Sequence, residues 1–348
     1  MKKHNPVPPD DTPPRRRMGR LGYILMAVVS VLLMINILLL VRKNSANPAP
    51  SEQPRLEDPC SLDIVREKSV NDRYVDPLLL VDINSESTLF SQLKARLLQQ
   101  IQQAKSEGSI REASVYLKDM ATSGWMGIDC ESEFLPGSLM KVPVLLYYLR
   151  QEQEHPGTLK TRFAYEKPQS EFPSQEYKGE SIRPGKSYTV EELLSYMIDE
   201  SDNSATYILS KHLDHARYNQ YFTDFGIAPY EAANTRYTIS PRQYSKFFRL
   251  LYNATFINRE LSAYALRLMT DSKFRDGLIK ELPADIPVAH KFGERGMDNT
   301  MDFSESGIIY YHHRPYILTI MTRGSDAHRQ AGVLSELSLE VFKFYKRF

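Results

Sequence analysis

Residues 134–151 read FLPGSLMKVPVLLYYLRQ, and the rest of the chain is best understood outward from this stretch. Ser138 directly follows Phe134-Leu-Pro-Gly137 and can open a helix. The apolar residues that follow suit a helix buried over most of its surface. Pro143 sits early in that helix, where a missing amide costs least. Residues three apart share a helix face, which sets Ser138 and Lys141 side by side. A serine hydroxyl is a weak nucleophile until a neighbouring base takes its proton, and lysine becomes such a base when burial lowers its pKa. Backbone amides at the helix start can face a developing oxyanion. Alone the signal is weak: about one serine in sixteen has a lysine three positions on, and a capped helix with a surface lysine fits equally well.

On the N-terminal side, 88–105 (TLFSQLKARLLQQIQQAK) sets Leu89, Phe90, Leu93, Leu97 and Ile101 at helical spacing. Ser85 or Ser87 can cap its start and Gly108 can end it. ASVYLKDM (113–120), TSG and WMGID (125–129) then predict a hairpin, with Trp125 packed on the sheet or a flanking helix. On the C-terminal side, helical patterns fill 138 to about 285: TVEELLSYMIDES, SATYILSKHL, SPRQYSKFFRLLYN and ELSAYALRLMT. A polar interval at 164–188 is expected to be an exposed excursion. Strands return in IPVAHKFG, SGIIYYHH and PYILTIMTRG, and a helix over 331–346 ends the chain. Strands at both ends around a helical middle predict an α/β domain of α+β type. It has an antiparallel sheet flanked by helices, with a mostly helical second subdomain and an active site in the cleft between them.

Two further motifs follow the first in order. Ser201-Asp202-Asn203 joins two helical patterns; its hydroxyl can relay a proton and its amide can hold a carbonyl, although each of these residues is also a good N-cap. His290-Lys291-Phe292-Gly293-Glu294 ends a strand-like run, where lysine can bind a substrate carboxylate and glycine admits a ligand. In this order and setting the three motifs resemble the class A β-lactamase family and its relatives among penicillin-binding proteins, with their S-x-x-K, S-D-N and K-T-G signature. The resemblance runs from about residue 76 to the C-terminus and implies a β-lactamase/transpeptidase-like fold. It implies Ser138 as acylated nucleophile, Lys141 as its proton partner, Ser201 as relay to the leaving nitrogen and Asn203 as substrate clamp. Lys291 would attract the substrate carboxylate, and the amides of Ser138 and Glu294, the residue after Gly293, would form the oxyanion hole. No cofactor is implied. The substrate class is a β-lactam or a peptidoglycan-like amide.

The pattern departs from the family twice. Phe292 stands where K-T-G has Thr, which removes one hydroxyl facing a substrate carboxylate. The E-x-x-x-N element, whose Glu activates the deacylating water, is replaced by FGIAPYEAANTRYTISP (225–241). This segment looks shortened, and its one Glu/Asn pair, Glu231 and Asn234, is three apart. Glu231 is therefore either an unusual deacylation base or part of a plain loop. Acylation with slow deacylation is the expected profile. A true β-lactamase and a catalytically weak cell-wall binding or scaffold protein are the alternatives.

Outside the domain, 21–41 (LGYILMAVVSVLLMINILLLV) carries no charge and matches a hydrocarbon core of about 30 Å. It is longer than a signal h-region and lacks a prompt small-residue cleavage site, so an uncleaved transmembrane helix is expected. Six basic residues from Lys2 to Arg20 precede it and only Arg42 and Lys43 follow closely. That asymmetry predicts a single-pass protein of the cell membrane with a cytoplasmic N-terminus and an extracytoplasmic catalytic domain. Residues 1–20 are expected to be a disordered tail, 42–75 a Pro-rich linker and 76–348 the catalytic domain. Cys60 and Cys130 would both face an oxidising compartment and are free either to pair or to stay as thiols. A net charge of +1 argues against a general nucleic-acid binder. His312 and His313, beside Arg314-Pro315, suit a turn better than a metal site.

Overall fold

A computed structural model describes residues 29, 32, 34, 35, 62–69, 74–167, 175–230, 234 and 236–347. The chain divides into two compact units, Met1–Asp58 and Pro59–Phe348. In the first, only Val29, Leu32, Met34 and Ile35 are described, each helical and exposed. The expected tail and most of the expected membrane span lie outside the described residues, among which no helix is long and apolar enough to cross a membrane.

The second unit is built on a five-stranded antiparallel sheet. Its strands are β3 (Glu112–Asp119), β4 (Trp125–Ile128), β7 (Val288–Met297), β8 (Thr300–Ile309) and β9 (Tyr316–Gly324), in the order β4-β3-β9-β8-β7. The β3–β4 pair is the predicted hairpin, with Val115 opposite Ile128. Because side chains alternate along a strand, central β9 serves two cores at once. Tyr316, Leu318 and Ile320 face one core, shared with α1 (Ser91–Ser106) and α8 (Ala327–Tyr345). Ile317 and Met321 face the other, formed with the helical subdomain. That subdomain comprises α2 (Lys141–Glu154), α3 (Val190–Asp199), α4 (Asn203–Lys211), α5 (His215–Asp224), α6 (Pro241–Asn253) and α7 (Arg259–Thr270). The predicted α/β architecture, a sheet flanked by helices, is therefore observed.

Local chemistry explains most helix boundaries. Thr189 and Ser240 form capping boxes at α3 and α6, Asp202 caps α4, and Gly108, at φ +71°, follows the end of α1. Neither Ser85 nor Ser87 caps α1, which instead grows from a 3-10 turn over Thr88–Phe90. His312 lies in the turn between β8 and β9 with φ +47°, as the flanking Arg-Pro predicts. Trp125 stacks on Tyr116, lies under Arg242 of α6 and donates its indole N–H to Ile83 O at 2.6 Å.

Three features differ from expectation. Residues assigned to the linker contain β1 (Leu62–Arg66), which pairs antiparallel with β2 (Leu78–Ile83); pairing with a non-local strand supplies an order that its own five residues do not signal. Helix α5 was not anticipated, although Asp214 caps it and Tyr218, Tyr221 and Phe222 follow at helical spacing. The interval at 164–188 contains a second hairpin, β5 (Arg162–Tyr165) with β6 (Lys186–Thr189), and a segment that packs into the cleft. Cys130 carries a free thiol, while Cys60 is outside the described residues.

Candidate active site

Ser138 sits in a 3-10 turn, Gly137–Met140, that leads directly into α2 at Lys141. Two glycines let this turn press on edge strand β7. A Cβ on Gly293 would stand 2.3 Å from Pro136 O, and one on Gly137, which has φ +51°, 2.3 Å from Glu294 O. No side chain fits at either place. The backbone of the Ser138 turn and that of Glu294 are thereby held in direct contact, the arrangement a two-amide oxyanion hole requires.

Lys141 is almost fully buried. Its Nζ donates to Ser201 O at 2.5 Å, Ser201 Oγ at 3.0 Å and Asn203 Oδ1 at 2.9 Å. Burial, followed by the nearby positive Lys291, holds its pKa well below the ordinary lysine range. Lys291, also buried, donates to Ser201 Oγ and to Phe292 O, each at 3.0 Å, and desolvation lowers its pKa to about 7. Ser201 therefore bridges the two lysines. It does so from a left-handed backbone conformation, φ +54°, rare for a residue with a Cβ and found where a site over-determines it. Its neighbour Asp202 accepts from Ser204 N and Ala205 N of α4, and from Ser181 Oγ and Ile182 N. One carboxylate thus caps a helix and fastens the 175–182 segment.

The structure brings together seven of the eight candidate residues: Ser138, Lys141, Ser201, Asn203, Lys291, Gly293 and Glu294. The eighth, Glu231, lies outside the described residues; Asn234 lines the cleft. Ser138 and Lys141 share the start of one helical turn as their spacing implies, yet the amine makes its hydrogen bonds to the second motif. Phe292 is packed against Phe274, Phe303 and Tyr177, so its departure from K-T-G belongs to an aromatic cluster.

Two residues, one lining the cleft and one bonded to its wall, escaped the sequence. Gln175 Nε2 lies 3.5 Å from Ser138 Oγ and 3.4 Å from Asn203 Oδ1. Tyr177 N donates to Glu294 Oε1 at 3.3 Å, and the Glu294 pKa is raised by burial. Both residues come from the polar interval, which has no periodicity to announce a packed role.

Comparison with known proteins finds the same fold. Among solved structures, a β-lactamase from Chitinophaga pinensis is 18% identical with a TM-score of 0.63, over 72% of this chain and 98% of that one. A β-lactamase from Burkholderia phymatum is 19% identical with a TM-score of 0.62, over 74% and 99%. PBP-A is 21% identical with a TM-score of 0.60, over 73% and 97%. At these identities the likeness is one of fold. No curated protein matches by sequence. The family model for the β-lactamase enzyme family matches residues 95–345, most of the chain and all three motifs, and the chain belongs to that family.

Proposed function

We propose that this protein is a membrane-anchored serine hydrolase, acylated at Ser138 by β-lactams or peptidoglycan-like amides and slow to release the acyl group. The observation that carries this reading is the desolvated Lys141 amine, bonded to Ser201 and Asn203 in the cleft that Ser138 lines. A neutral Lys141 takes the Oγ proton as that oxygen attacks the carbonyl carbon and a C–O bond forms. The carbonyl oxygen becomes negative and meets the amides of Ser138 and Glu294. When the tetrahedral adduct collapses, the C–N bond breaks and the proton passes from Lys141 through Ser201 to the leaving nitrogen. Asn203 holds the acyl part of the substrate, and Lys291 supplies positive potential for its carboxylate.

Release of the acyl group needs a base that activates water. The segment 225–241 departs from the family's E-x-x-x-N element, with Glu231 and Asn234 three apart, and this supports slow deacylation. PBP-A, which shares the fold, has a mutant described as an acyl-enzyme complex with penicillin G. The uncharged run at 21–41 and the basic residues before it support a single-pass anchor, with the catalytic domain outside the membrane beside the cell wall.

Mass spectrometry of the full-length chain after incubation with a penicillin tests the reading. A stable adduct on Ser138, absent in Ser138→Ala, is the expected result. A transient adduct with continuous drug consumption would make it a working β-lactamase, and no adduct at all would remove the proposed chemistry.

A further inference from the structure

Residues 175–182 form a strap that is fastened to both sides of the catalytic cleft. It belongs to an excursion whose ends meet, since Tyr165 of β5 pairs with Lys186 of β6. On the sheet side, Tyr177 N donates to Glu294 Oε1 at 3.3 Å. The Tyr177 ring stands 4.8 Å from that of Phe274 and 5.9 Å from that of Phe292, and its hydroxyl lies 2.9 Å from His328 Nδ1 of α8. On the helical side, Glu180 N donates to Glu200 Oε2 at 3.0 Å. Ser181 Oγ and Ile182 N donate to the Asp202 carboxylate at 2.8 and 3.0 Å. Gly179 lies so close to Glu200 that a Cβ there would stand 2.7 Å from the Glu200 carbonyl oxygen.

We infer that this strap is a self-inhibitory latch, which must leave the cleft before a substrate reaches Ser138 and Lys291. The inference rests on the proposed acylation of Ser138. The Gln175 carboxamide carries it. Its Nε2 lies 3.5 Å from Ser138 Oγ and 3.4 Å from Asn203 Oδ1, the nucleophile and the clamp of the proposed reaction. A carbonyl carbon has to come within about 3–3.5 Å of the attacking oxygen, and here the chain's own amide holds that space. Beyond it, Ser201 is 2% exposed and Lys291 0% exposed. The Lys291 amine sits over the Phe292 ring, which Tyr177 of the strap meets edge to face. A substrate carboxylate has to reach an amine that solvent does not touch, so the cleft must open there. The strap is made to lift. Of its eight residues Ile182 is the one fully buried apolar side chain, and Glu176, Lys178, Gly179, Glu180 and Ser181 are exposed. Segments with so little buried apolar surface open at low cost. Because the ends of the excursion pair with each other, lifting the strap leaves both subdomains in place.

The test measures the rate of Ser138 adduct formation with benzylpenicillin, by mass spectrometry, on the full-length chain and three variants. Gln175→Ala removes the amide beside the nucleophile. Tyr177→Ala removes the ring and keeps the backbone hydrogen bond to Glu294, and Gly179→Ala drives the strap off Glu200. A thermal melt checks that each variant is folded. Each is expected to form the adduct faster by about tenfold or more, because a competent state populated at or below about a tenth reduces apparent reactivity by that fraction. An adduct formed by the variants and not by the wild type would be the strongest form of the same result. Unchanged or slower adduct formation in the variants would overturn the latch, make Gln175 and Tyr177 part of the cleft wall and leave the serine chemistry standing. No adduct in the wild type or in any variant would overturn both.

Discussion

Two places in this domain bury lysine, and they do so in opposite ways. Lys118, on β3, donates to Asp82 Oδ1 at 2.7 Å, and Arg249 of α6 reaches Asp82 Oδ2 at 2.5 Å. One carboxylate there serves two buried cations. Lys141 and Lys291 are equally buried, but their hydrogen bonds go to neutral oxygens, and Lys141 also faces the charge of Lys291. Desolvation lowers the pKa in both places. At Lys118 the Asp82 carboxylate opposes that fall, whereas Lys141 drops far and Lys291 reaches about 7. Burial with a hydrogen-bonded carboxylate locks a structure, while burial with neutral hydrogen-bond partners and carboxylates only at longer range makes an amine that can accept a proton.

Removing one member of each group separates the two cases. Lys141→Met is expected to slow Ser138 acylation by about 10²–10⁴-fold, the usual worth of a general base, and to leave the denaturation midpoint unchanged or higher. Adduct formation and urea unfolding on the same preparation check this. Asp82→Asn should do the reverse. It strands Lys118 and Arg249 and should cost about 3–5 kcal/mol of unfolding free energy, while acylation per folded molecule is kept. If Asp82→Asn slowed acylation and left stability alone, the comparison would be wrong.

The pH dependence is a smaller effect and sharpens the same point. Acylation by a carboxylate-bearing substrate should fall in acid, as Lys141 takes a proton, and fall again above about pH 7, as Lys291 loses its charge. Each limb approaches tenfold per pH unit. For stability, a lysine with a depressed folded-state pKa binds fewer protons folded than unfolded between the two pKa values. Unfolding free energy therefore rises with pH from about 7 towards the ordinary lysine value. Thermal melts across that window should show the rise in the wild type and a shallower one in Lys291→Met.

Much of the domain was legible beforehand. The β3–β4 hairpin, α2, α3, α4, α6, α7 and the last three strands follow from periodicity, caps and turn residues that lie within a few positions of one another. Helix α5 carries such signals too, in Asp214 and its aromatic residues. Strand β1 and the packed role of Gln175 and Tyr177 had no local signal, because each is ordered by partners far along the chain. For the site, the three motifs named the residues and their order. They did not foretell that the Lys141 amine would bond to Ser201 and Asn203, or that Tyr230 and Tyr237 of 225–241 would line the cleft.

By itself, the sequence determined the residue types of the site, the alternation of strands and helices, and the two glycines on which the close approach depends. These are local properties of backbone and side chain. Only the tertiary structure decided which groups meet: Lys141 with Ser201 across 60 residues, Lys291 with Ser201 across 90, and Asp82 with Arg249 across 167. The shifts in lysine acidity belong to this second class. A pKa is set by desolvation and by the charges nearby, and both exist only once distant segments have closed around the amine.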